Sequence, residues 1–172
     1  MFRKAEQRDI DAIAAIYERL HDREESGQGC TGWIRNVYPT RDTALAALEQ
    51  GDLFVEVEDG AVVAAARINQ EQVDVYANCP WAYDAPPEQV MVIHTLVVDP
   101  EASGRGYGSR FVGFYEEYAR EQGCICLRMD TNQRNRPARS LYGKLGYREA
   151  GIVPCDFNGI PGVGLVCLEK KL

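Results

Sequence analysis

One stretch constrains the fold of this chain more than any other: Val97-Val98-Asp99-Pro100-Glu101-Ala102-Ser103-Gly104-Arg105-Gly106-Tyr107-Gly108. An apolar run that begins at Val90 ends at a proline, and a glycine-rich turn follows. Beyond it Phe111, Phe114, Tyr115 and Tyr118 mark one face of a helix. The pattern is strand, loop, helix. Glycines let backbone N–H groups approach a ligand closely, because no Cβ intervenes. A helix N-terminus adds the positive end of its dipole. Such a loop suits a diphosphate, although the same glycines also serve a plain tight turn. A P-loop is excluded, since Gly108 is followed by Ser109 with no lysine. A dinucleotide-binding fingerprint keeps an acidic residue, Asp130, at a suitable distance, but its loop belongs near the start of a domain and this one lies past the middle.

A second cluster follows. Met129-Asp130-Thr131-Asn132 ends the next apolar strand, and Asn135-Arg136-Pro137-Ala138-Arg139-Ser140-Leu141-Tyr142-Gly143-Lys144-Leu145-Gly146-Tyr147 comes directly after. Together the two segments resemble the acetyl-CoA site of the GNAT N-acetyltransferase superfamily. In that family an Arg/Gln-x-x-Gly-x-Gly loop binds the pyrophosphate. A later Asn-x-x-Ala-x-x-x-Tyr-x-x-x-Gly-Phe/Tyr segment flanks the pantetheine arm. Asn135, Ala138, Tyr142, Gly146 and Tyr147 fall on that second pattern, whereas Ser103 stands where the family usually has Arg or Gln.

The resemblance implies an α/β (α+β) acyl-CoA N-acyltransferase fold, with a mixed, mostly antiparallel sheet flanked by helices. It implies one domain over residues 1–172 and acetyl-CoA as cosubstrate. Backbone groups of Leu96, Val97 and Val98 are then expected to pair with the pantetheine arm, in a wedge between Val90–Val98 and Cys124–Met129. Ser103, Gly104, Arg105, Gly106, Tyr107, Gly108 and Ser109 would hold the pyrophosphate, with Asn132, Asn135, Ala138 and Tyr142 beside the arm. Arg105 and Arg110 would supply positive charge, Arg105 offsetting the missing guanidinium at position 103. Tyr142 matches the tyrosine that protonates the departing sulfur, and His94 matches a histidine base of some small-amine enzymes such as serotonin N-acetyltransferase. Glu24, Glu25 and Asp84 compete for the base role. Tyr142 also reads as a packed helix tyrosine, and His94 as a histidine satisfied on a sheet face.

The expected acceptor is a primary amine on a small or amino-acid-like molecule. Acetylation of protein lysines or N-termini, and acyl-CoA binding without catalysis, are the alternatives. Trp33, Tyr38, Trp81 and Tyr83 stand in loops and could line the acceptor cleft or form satellite core, and Cys155–Gly162 could wall it. A homodimer is compatible with the family's habit.

Composition narrows the partners. A net charge of -7 argues against a nucleic-acid surface. Six cysteines without a Cys-x-x-Cys pair, and two histidines, argue against zinc. Cys124 and Cys126 are expected to face the same side of a strand. The opening Met1–Glu6 has no apolar h-region, no run approaches the roughly 20 residues of a membrane span, and a reducing cytoplasm is the expected setting.

Spacing predicts a strand at Phe2–Glu6 and a helix from an Asp9 cap through Leu20, followed by a loop at His21–Gly32. A second helix opens at Thr40 and ends at Gly51. Leu53–Glu58 and Val62–Ile68 form a hairpin about Asp59-Gly60, extended by Gln72–Tyr76. Asn78–Pro87 is loop, Val90–Val98 and Cys124–Met129 are strands, Pro137–Leu145 is a helix, and Gly164–Glu169 is the closing strand.

Overall fold

The computed structural model describes residues 1–172. Seven strands form one sheet: β1 (Phe2–Lys4), β2 (Leu53–Glu58), β3 (Ala61–Asn69), β4 (Val90–Val98), β5 (Cys126–Asn132), β6 (Arg148–Phe157) and β7 (Ile160–Lys171). Their spatial order is β1-β2-β3-β4-β5-β7-β6. Every neighbouring pair is antiparallel except β4–β5. The helices are α1 (Ile10–Glu25), α2 (Arg41–Glu49), α3 (Tyr107–Glu121) and α4 (Arg136–Lys144). The expected mixed sheet with one parallel step is therefore present. No helix is long and apolar enough to cross a membrane.

Strand alternation assigns residues to two faces. On one face Phe54, Ala66, Met91, Leu127, Met129 and Leu168 pack under Phe111, Tyr115 and Ala119 of α3 and Tyr142 of α4. The other face is covered in two pieces. Ile10, Ile13 and Ile16 of α1 and Ala44 and Ala47 of α2 cover Val55, Ala65 and Val97. A strap, residues 72–83, covers Val90, Val92, Cys126 and Cys167 through Tyr76, Cys79 and Trp81. The gap between these two covers is where the cavity described below opens.

A bulge in β4 aims its end. Ala65 pairs with Val97 but Arg67 with His94, so Ala66 stands opposite two residues. Thr95 takes φ +52° there. One inserted residue inverts the alternation. Ile93 and Leu96 accordingly share the α3 face, while Val97 faces α1 and α2.

Several expectations are corrected. The first strand stops at Lys4. His21–Glu25, expected as loop, is the last part of α1: the His21 side chain is buried and its Nε2 lies 2.9 Å from the Pro39 carbonyl oxygen, a partner on a distant segment. Gln72–Tyr76 does not extend the sheet, and Asp74–Asn78 is a 3-10 turn of the strap. Cys124 precedes β5 and packs on the α3 face, opposite Cys126, because the chain leaves α3 through a Gly123 turn before pairing begins. The largest omission is β6, which was not expected as a strand, with Cys155–Gly162 forming its hairpin to β7. Gly151 and Pro154 mask it, and both are tolerated because β6 is the sheet edge, where one side of the strand needs no partner.

Candidate active site

The parallel contact between β4 and β5 covers three residue pairs only, Val90–Cys126, Met91–Leu127 and Val92–Arg128. Beyond Val92 the strands diverge, and the edge of β4 from Ile93 to Val98 has no strand partner on that side. Tyr115 of α3 stands at the fork. Its hydroxyl donates to the Met91 carbonyl oxygen at 2.7 Å and lies 3.1 Å from that of Arg128. The expected wedge thus exists, and its open edge includes Leu96, Val97 and Val98.

The glycine loop follows β4 directly; Ser103–Ser109 do not line the cavity described next, but Gly108 lies against Val98 at the end of β4. Gly104 and Gly106 have φ of +81° and +79°, where L residues are strained, and a Cβ at either would project into open space. Gly106 caps α3, so the N–H groups of Tyr107, Gly108 and Ser109 have no intrahelical acceptor. Gly108 also packs: a Cβ there would approach Leu141 Cδ2 of α4 to 3.2 Å. This is an anion cradle bounded by glycine, and the residues present fit a pyrophosphate. Ser103 and Arg105 are exposed in the loop, and the Arg105 guanidinium has no ion pair. Arg110, expected to assist, is instead held by Glu58 at 2.8 Å and by buried Glu56. Burial pushes the Glu56 carboxyl up, against the pull of Arg110.

A cavity of about 370 Å³ runs through the wedge. Leu96, Val97, Val98, Asn132, Asn135, Ala138 and Tyr142 all line it, together with His94. The side chain of Asn135 caps α4 by accepting from the Ala138 N–H at 3.2 Å, and Asn132 accepts from the Arg134 N–H at 2.9 Å. The Tyr142 ring packs edge-on against Tyr147, and its hydroxyl has no protein partner. Burial, with Asp130 nearby, holds the Tyr142 phenol well above the ordinary tyrosine range.

His94 lies in the wall with Nε2 2.9 Å from Asn69 Oδ1. That oxygen also accepts from the Glu71 N–H, while Asn69 Nδ2 donates to Asp52. The amide orientation is thereby fixed, and the His94 ring must donate through Nε2. Burial and then Arg67 lower the His94 pKa to about 4, so the ring is neutral at pH 7.

Of the loop aromatics, Trp33 and Tyr38 line the cavity, and the Tyr38 hydroxyl bonds Thr95 Oγ1. Trp81 and Tyr83 do not. The Trp81 ring packs on Tyr76 and lies 4.2 Å from the Arg128 guanidinium, inside the strap. Phe157, Asn158 and Ile160 of the β6–β7 hairpin form a wall, as expected of Cys155–Gly162. Glu24 is consumed by the Thr31 and Gly32 N–H groups and by Arg134, Glu25 pairs with Arg35, and Asp84 lies outside the cavity.

One group was not expected in a chemical role. Asp130 lines the cavity from β5 and accepts a 2.6 Å hydrogen bond from Tyr76, with no cation paired to it. Burial raises its pKa to about 6, against the stabilising hydrogen bond. The sequence signal was available, since a carboxylate at the end of a buried strand needs a reason to be there.

Comparison with known proteins agrees with this geometry. The model of the acetyltransferase (GNAT) family matches residues 13–147. The chain is 27% identical over 150 residues to YhfO, an uncharacterised N-acetyltransferase of Bacillus subtilis, covering 86% of this chain and 89% of that protein. It is 29% identical over 138 residues to streptothricin acetyltransferase of Escherichia coli, covering 80% and 72%. A crystal structure of a GNAT-family acetyltransferase from Streptococcus agalactiae superposes with a TM-score of 0.83 at 22% identity, over 100% of this chain and 95% of that one. The structure of yncA from Salmonella typhimurium, with its cofactor acetyl-CoA, superposes at 0.71 and 18% identity, over 100% and 93%. The open β4 edge, the glycine cradle and the family match converge: the chain belongs to the acetyltransferase (GNAT) family and is an acyl-CoA-dependent acetyltransferase of that type.

Proposed function

We propose that the protein, as a single domain over residues 1–172, transfers the acetyl group of acetyl-CoA to a primary amine of a small or amino-acid-like acceptor by direct attack. The observation that carries this reading is one cavity lined at once by the open β4 edge, the unpartnered Tyr142 hydroxyl and the Asp130 carboxyl. Leu96, Val97 and Val98 offer main-chain groups to the pantetheine arm. Ser103–Ser109 receive the pyrophosphate, with Arg105 standing in for the guanidinium absent at Ser103. Asn132, Asn135 and Ala138 flank the arm. Acetyl-CoA supplies a thioester carbonyl open to attack by the amine. Asp130 accepts the first proton that the ammonium must lose and passes it to solvent; the amine then attacks, its nitrogen gives up a second proton to solvent, and Tyr142 gives its hydroxyl proton to the departing sulfur, as one N–C bond forms and one C–S bond breaks. Tyr142 is reprotonated from solvent. An elevated phenol pKa keeps Tyr142 protonated over the working range, as an acid requires.

Asp130 and His94 are both placed to serve as proton acceptor. Asp130 is the better supported, because it lines the cavity with no cation paired to it while His94 Nε2 is engaged by Asn69, and because burial raises the Asp130 pKa toward neutral pH and lowers that of His94 away from it. An acid limb set by Asp130 is expected at higher pH than one set by His94. A small acceptor is favoured by the cavity's volume and by Trp33, Tyr38 and Phe157, which wall it in where a peptide would need an open groove.

The test is acetyl-CoA turnover against pools of amines, amino acids, polyamines and lysine peptides, with the product read by mass spectrometry. An acetylated small amine is the expected result. Acetylation confined to peptides would replace the acceptor class, and none from any pool would support acyl-CoA binding alone.

A further inference from the structure

The mechanism leaves Tyr76 unused, yet it is among the most buried side chains in the protein and lies outside the cavity lining. Its phenol reaches Asp130 Oδ2 at 2.6 Å from the strap. The strap is braced within itself and fastened to the sheet by two residues. Trp81 Nε1 donates to the Tyr76 carbonyl oxygen at 2.9 Å, with the two rings edge-on. Arg128 of β5 donates to the Tyr83 carbonyl oxygen and bonds Gln72. Glu169 of β7 accepts from the Ala82 and Tyr83 N–H groups and pairs with Arg148. Two charges, Arg128 and Glu169, are thus buried to hold a loop whose one polar contact with the site is the Tyr76 hydroxyl. A phenylalanine would fill the same space without it.

We propose that Tyr76 is a positioning residue for the acetyl transfer, its hydroxyl holding the Asp130 carboxylate ionised and aimed into the cavity. The inference rests on the assignment of Asp130 as proton acceptor. The other titratable groups facing Asp130 are Tyr38 from the loop before α2, Tyr142 of α4, Cys155 of β6 and Cys167 of β7, which is its register partner. All are neutral at pH 7, and Arg67, the cation that acts on Tyr38, bonds Gln50 and Glu71 rather than Asp130. Tyr76 is therefore the one donor that favours the carboxylate form, against the burial that opposes it.

The experiment is kcat/KM against pH for one acceptor, in wild type, Tyr76→Phe and Asp130→Asn. The acceptor's own ionisation is common to all three and cancels. Tyr76→Phe is expected to move the acid limb upward by about one pH unit, a tenfold change in proton affinity. Activity falls about fivefold at pH 6 and approaches a tenfold loss below pH 5, recovers by pH 8.5, and KM for acetyl-CoA holds. A uniform loss at every pH with an unmoved limb would overturn the inference, since that is what lost packing gives. Should Tyr76→Phe fold poorly, 3-fluorotyrosine encoded at position 76 keeps the shape and makes a stronger donor. The limb should then move down, and no movement overturns the inference. An acid limb that persists in Asp130→Asn sinks the base assignment and this inference together. A limb lost there but unmoved in the Tyr76 variants sinks the role of Tyr76 alone.

Discussion

Gly60 and Gly106 offer a matched pair for testing the cradle. Gly60 sits in the β2–β3 turn at φ +82° and Gly106 at the head of α3 at φ +79°, and a Cβ at either meets no protein atom within 4 Å. Alanine at each position therefore has the same intrinsic cost, about 1 kcal/mol for an L residue in the left-handed region. For a chain of this size that lowers Tm by roughly 2–4 °C in both variants. The open space has different meanings at the two sites. At Gly60 the methyl enters solvent. At Gly106, on the proposed reading, it enters the volume where the N–H groups of α3 would meet a pyrophosphate. Losing one hydrogen bond to a charged group costs about 1.5–3 kcal/mol, or roughly a 10- to 100-fold weaker Kd. Thermal unfolding and calorimetric titration with CoA separate the two effects. We expect equal Tm losses, unchanged CoA affinity in Gly60→Ala, and weakened affinity in Gly106→Ala. Equal CoA affinity in the two variants refutes the cradle.

Tyr142→Phe should lower kcat by about a hundredfold, within the usual range for an acid catalyst, and leave CoA affinity intact; unchanged turnover removes Tyr142 from the acid role. His94→Gln retains a donor toward Asn69, so the acid limb of kcat/KM should stay near pH 6, whereas its loss would transfer the base role to His94. Arg110→Met strips buried Glu56 of its cation. The Glu56 carboxyl is already raised in the folded state, so its contribution favours folding at low pH and fades as pH rises through the folded value. The Tm deficit of the variant, relative to wild type, should widen from pH 4.5 to pH 7; an equal deficit at both means the ion pair is irrelevant to stability.

The segments with strong local signals were legible in the sequence. Asp59-Gly60 gave the hairpin, and Val90–Val98 matched β4 residue for residue. Val97 and Val98 of the first motif block and Asn132, Asn135, Ala138 and Tyr142 of the second line one cavity, whereas Ser103–Ser109 lie outside its lining. What escaped notice was set by tertiary context. His21–Glu25 are polar, yet they continue α1 because His21 finds a buried carbonyl partner across the fold. The edge position of β6 excuses its proline and glycine, and edge position is a property of the sheet rather than of the segment. Trp81 and Tyr83 look like cleft aromatics until Arg128 and Glu169, far along the chain, draw the strap down. Asp130 was read for spacing alone. Its chemical interest comes from the absence of any cation beside it, and from Tyr76, which no local pattern connects to it.

The short parallel contact between β4 and β5 has a mechanical meaning. β1–β4 form one antiparallel leaf and β5–β7 another, each internally well laced, and three residue pairs with the Tyr115 hydroxyl are the stitches between them. The sheet is in effect an open book whose spine is left half sewn, with α3 packed across both leaves. A pantetheine arm lying along the free margin of β4 would finish the binding, so amide protons flanking the spine should exchange more slowly when CoA is added. Recognition and cohesion would then be linked: the ligand would add a backbone seam to two leaves that already share one core beneath α3.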